Sequence, residues 1–83
     1  MADQRAATRI AQRIVHLQTG LFGDAKPVGG GVSELRVDYG PGYLVYFVQR
    51  GQVLNILLCG AAKRTQRRDI AKAKVLAAEL EVE

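Results

Sequence analysis

The chain has 83 residues, which excludes more than one domain, and with 48% hydrophobic and 24% charged residues it has the composition of a folded protein rather than a disordered one. Its 12 Lys and Arg outweigh 8 Asp and Glu for a formal net charge of +4, which favours anionic partners such as RNA, DNA or an acidic protein. A single cysteine excludes an internal disulfide, one Cys and one His cannot supply a four-ligand zinc site, and no signal peptide or membrane span is legible, so the cytoplasm is the expected location.

Residues 3 to 18 predict an amphipathic helix. Ala7, Ile10, Ala11, Ile14 and Leu17 recur at three- and four-residue steps, while Arg5, Arg9, Gln12, Arg13 and His16 occupy the other side. Asp3 suits the N-cap, and Gly20 with Gly23 suits the stop. A loop is expected from Leu21 to Gly31, carrying Lys26, Pro27 and three successive glycines. Those glycines do not form a phosphate-binding loop: no strand precedes them, no helix follows, and the Lys-Ser/Thr pair is absent.

Three strands are expected next. Val32 to Tyr39 alternates, with Leu35, Val37 and Tyr39 on one face and Glu34, Arg36 and Asp38 on a wet one. After Gly40-Pro41-Gly42, Tyr43 to Val48 is apolar on both faces, as a central strand should be. A hairpin at Arg50-Gly51 leads into Val53 to Cys59, and short connections make all three antiparallel neighbours. The segment from Thr65 to about Glu81 predicts a second helix, buried through Ile70, Ala73, Leu76, Ala77 and Leu80. The expected fold is α+β: one domain over residues 1–83, built as a helix, a three-stranded antiparallel meander and a helix, with both helices on one face of the sheet.

Charge along the last helix runs against its dipole. Six of the twelve basic residues lie between 63 and 74, with Lys63, Arg64, Arg67 and Arg68 crowding the start, while Glu79, Glu81 and Glu83 crowd the end. Helix starts favour acids, so each exposed misplacement costs a few tenths of a kcal/mol. One reading is a merely solubilising surface. The other is that backbone N–H groups and Arg/Lys forks converge on a phosphate, with positions 64, 68 and 72 forming a stripe along a nucleic-acid backbone. Elsewhere the plain readings win: His16 is a surface histidine, Cys59 a small buried hydrophobe, and Tyr46 a sheet residue.

The run GGGVSELRVDYGPGYLVYF from Gly29 to Phe47, with LLCGAAKRTQRRDIAKAK at 57–74, resembles the addiction-module killer branch of the RelE/ParE/HigB toxin superfamily. The pieces FGDAKPVG, SELRVDYGPGY and the spacing of Lys63, Gln66, Asp69 and Ile70 carry that resemblance together, and it covers nearly the whole chain. It implies a RelE-like toxin fold and the toxin role in a type II toxin–antitoxin system. RelE-like members enter the ribosomal A site and cut mRNA without a metal or cofactor, the 2′-hydroxyl of one nucleotide attacking the adjacent phosphate. Such a reaction needs in-line alignment, cations for the phosphate charge, and a proton acceptor and donor.

Under that resemblance Lys63 and Arg64 match the family's basic pair, and with Arg36 they are the candidate catalytic residues. Arg67, Arg68, Lys72 and Lys26 are candidate nucleic-acid contacts, and Tyr39 and Tyr43, flanking the Gly-Pro-Gly turn, are candidate base-stacking rings. The expected partners are a cognate antitoxin, the ribosome and mRNA, with no membrane. Two departures stand out. Leu44 occupies the place where most relatives carry a charge-stabilising arginine, and Ile70 lies near that of their proton donor. Relatives also begin with a strand and the opening of the first helix, ahead of the first residue here; a bare sheet edge would then invite a homodimer or a segment of the antitoxin. The alternatives to a ribosome-dependent mRNA endonuclease are a weakened descendant of one, a ParE-type toxin that poisons DNA gyrase, and a non-catalytic remnant that binds RNA or antitoxin.

Overall fold

Helix α1 spans Gln4–Gln18 in a computed structural model that describes residues 4–18, 25–51, 53–61 and 64–82. The expected caps Asp3, Gly20 and Gly23 lie outside the described residues, as does the start of the expected loop. The helix is buried through Ala6 and Leu17, with Ile10, Arg13 and Ile14 half-buried. Ala7 and Ala11, expected inside, are exposed. Small alanines gain little from burial, so the larger Ile10 and Leu17 decide which way the helix is rolled.

The expected meander has a fourth strand. Strand β1 (Ala25–Gly29) occupies part of the predicted loop, and β2 (Val32–Val37), β3 (Tyr43–Arg50) and β4 (Val53–Ala61) follow. All neighbours are antiparallel in the order β1-β2-β3-β4. Pro27 weakens the sequence signal for β1, but an outer strand tolerates proline because one of its sides needs no N–H donor. The three glycines make the hairpin between β1 and β2, with φ of 99° at Gly29, 65° at Gly30 and 78° at Gly31. Three successive positive φ angles exclude most other residues, so this connection is a defined turn rather than a flexible one.

Helix α2 (Gln66–Val82) closes the fold. The two helices lie on opposite faces of the sheet, which corrects the expectation of a shared face. Leu17 of α1 clusters with Leu35, Val37, Val45 and Phe47, whereas Ala73 and Ala77 of α2 cluster with Val32, Leu44, Tyr46 and Val48. The reason is β3, whose side chains are apolar on both faces, so each face must be covered. Glu34, expected on a wet face, is only 5% exposed because α2 covers it. A bulge in β4 beside Tyr46 and Phe47 adds Leu57 to the α2 side and changes the parity of the strand.

Candidate nucleic-acid interface

The start of α2 is anchored by its uncharged and acidic side chains. The Asp69 N–H donates to the Thr65 carbonyl at 2.8 Å, which makes Thr65 the residue that opens the helix, and the Thr65 hydroxyl donates to the Asp69 carboxylate at 2.6 Å. A Cβ added at Gly60 would overlap that carboxylate, so glycine in β4 lets the first turn approach the sheet. The Gln66 side-chain amide donates to the buried Glu34 carboxylate at 3.1 Å. Thr65, Gln66 and Asp69 thus face the sheet, and helical spacing turns the basic residues between them outward.

Arg64, Arg67 and Arg68 are exposed, and with Thr65 and Ala71 they line an open cleft of about 510 Å³. By helix geometry the first N–H groups of α2 point toward this end. Donors and guanidinium groups together make a surface suited to phosphate oxygens. Lys72 is exposed one turn beyond Arg68 and extends the same row.

The other expected residues divide between the two faces. Arg36 is exposed on β2, directly opposite Leu44, which pairs with Gly60, so these three form one cross-strand row on the α2 face. Lys26 is exposed on β1 opposite Glu34, on that same face. Neither Arg36 nor Lys26 lines the cleft. Lys63 lies outside the described residues. Tyr39 and Tyr43 belong to the opposite face, half-buried against the α1 cluster, with the Arg9 guanidinium 5.5 Å from the Tyr39 ring centre. They cannot join the α2 cleft in one continuous site.

Sequence reasoning missed the polar group beneath α2. Tyr46 is fully buried there, and its hydroxyl has no hydrogen-bond partner among the described residues. Burial first, then the Glu34, Asp69 and Cys59 charges, push its pKa up to about 12. Tyr46 therefore keeps its proton at neutral pH and is no base for RNA chemistry. Cys59, expected to be buried, is exposed on β4; desolvation and then Asp69 raise its pKa, which keeps the thiol protonated. The Thr65-to-Asp69 spacing of four was the only sequence signal of this arrangement. Leu44 has no exposure and packs in the core beneath α2, so it presents nothing to the cleft.

A four-stranded antiparallel sheet with one helix on each face and an arginine-lined mouth at its last helix defines a small basic α+β protein. No family model and no solved structure matches the chain. An uncharacterized protein of Haemophilus influenzae is 54% identical to it over 80 residues, covering 96% of this chain and 81% of that protein. The chain belongs to the family of that protein.

Proposed function

We propose that this protein is the toxin of a type II toxin–antitoxin pair and acts on mRNA at the ribosome, as a metal-independent endonuclease or a weakened descendant of one. The observation that carries this reading is the open cleft at the mouth of α2, where Arg64, Arg67 and Arg68 surround a helix N-terminus. Three cations held there at some cost to the helix dipole suit a phosphodiester better than they suit stability. Arg36 on the same face supplies a further cation along an RNA strand. The cognate antitoxin, mRNA and the ribosome are the partners, and the cytoplasm is the place of action. No described helix is long and apolar enough to cross a membrane.

A second reading, a toxin that binds and poisons DNA gyrase, draws on the sites of Leu44 and His16. Leu44 is core, and His16 lies on α1, across the sheet from the cleft, so neither serves proton transfer or charge stabilisation there. One experiment separates the two readings. Purified protein is added to translating ribosomes and mRNA 5′ ends are mapped, with gyrase supercoiling measured in parallel. Cuts placed by codon, weakened at least about tenfold by Arg67→Gln with Arg68→Gln, support the nuclease. Inhibited supercoiling with intact mRNA replaces it by the second reading.

A further inference from the structure

The face of the molecule opposite the α2 cleft carries its own cationic surface. Helix α1 has no acidic residue in its fifteen positions. At 3.6 residues per turn, Arg5, Arg9, Gln12 and His16 fall within a sector of about 60°, and Arg13 flanks it. This stripe borders the turn between β2 and β3. Two adjoining clefts share Arg9 there: one of about 460 Å³, bounded by Arg5, Arg9 and Tyr39, and one of about 130 Å³, bounded by Arg9, Arg13, His16 and Asp38.

We propose that this α1 groove docks the phosphate backbone of double-helical RNA, separately from the α2 cleft; the inference rests on the reading of the protein as one that acts on RNA. The chemistry favours backbone over bases. The Tyr39 ring is half-buried with the Arg9 guanidinium over one face, which withholds that face from a base, while Arg5 and Arg9 are exposed on the helix. From Arg5 to His16 the stripe rises about 16 Å, long enough to follow several phosphates. The molecule is 21 Å through its shortest axis, more than twice the screening length of about 8 Å at physiological salt, so the two surfaces act independently. One protein molecule thus holds a duplex on one side and an RNA strand on the other.

The test is fluorescence anisotropy with a labelled RNA hairpin, repeated over a range of salt. Replacing Arg5, Arg9 and Arg13 by Gln should weaken hairpin binding at least about tenfold and reduce the log–log salt slope by about 2 to 3. Should circular dichroism show that this variant loses its helix, Arg5→Gln alone should reduce the slope by about 1. Asp38→Asn, which removes the acid lining the groove, should tighten binding. Unchanged affinity in the folded triple variant overturns the proposal, and so does a loss in Arg50→Gln equal to that in Arg5→Gln, which would report net charge alone. Polyglutamate displacing the hairpin at equal charge concentration would assign the groove to an acidic protein instead. A protein that binds the hairpin through α1 but yields no ribosome-dependent cuts would sink the nuclease reading and leave this one standing.

Discussion

Tyr46 shows how much a single buried oxygen can control. Its hydroxyl lies beneath α2, beside Glu34 and Asp69, without a hydrogen-bond partner among the described residues. Tyr46→Phe removes a desolvated polar atom without opening a sizeable cavity, so at neutral pH it should be neutral or stabilising by up to about 1 kcal/mol. The pH dependence has a definite sign. The folded state holds the phenol proton to about 12, whereas an exposed phenol releases it near 10.0. The associated stability is complete below the unfolded value and disappears as pH climbs through the folded one. Urea midpoints at about pH 8 and about pH 11 should therefore fall further for the native chain than for Tyr46→Phe. Equal falls in the two proteins would show that this hydroxyl is not desolvated.

Within α2 the proposed role of Arg67 and Arg68 as RNA contacts sets stability and binding in opposite directions. Arg67 and Arg68 occupy the first turn, where the dipole favours acids, while Asp69 is the acid of that turn. Arg67→Glu with Arg68→Glu should raise stability by about 0.3–1 kcal/mol per site while weakening RNA binding. Thermal melts and binding to a single-stranded RNA, measured on the same preparation, check both parts. Loss of stability in that variant would mean that the arginines hold the helix rather than a ligand. The helix is positioned by its contacts with the sheet: Gln66 to Glu34 and Asp69 over Gly60. Further along, Lys74 packs its stem against Gly30, with 3.2 Å between its Cγ and the place a Cβ would take. That contact couples α2 to the glycine hairpin, which looked like a mere connection in the sequence.

For the molecule as a whole, the edge of the sheet formed by β4 matters most for association. Among the described residues β4 pairs only with β3, contains no charge or proline, and leaves Val53 59% and Ile56 43% exposed. Such an edge is a template for a further strand, although its bulge blunts it. Sedimentation equilibrium should show a mass that rises with protein concentration, and Ile56→Lys should suppress the rise. A constant monomer mass for the native chain would count against pairing through this edge.

Alternation, turn residues and helical spacing were enough to read the α+β class, the two helices and the strands β2, β3 and β4, because those signals are local. The arginines of the α2 cleft were legible for the same reason: a reversed charge order on one helix is visible in one dimension. Which face each helix covers was not legible, since an apolar central strand accepts cover on either side and only packing makes the choice. That choice buried Glu34, hid Leu44, exposed Cys59 and put Tyr39 and Tyr43 across the sheet from Arg67 and Arg68. Local pattern thus named the elements and the charges. Burial, which depends on contacts between residues far apart in the chain, determined which of those charges share a surface.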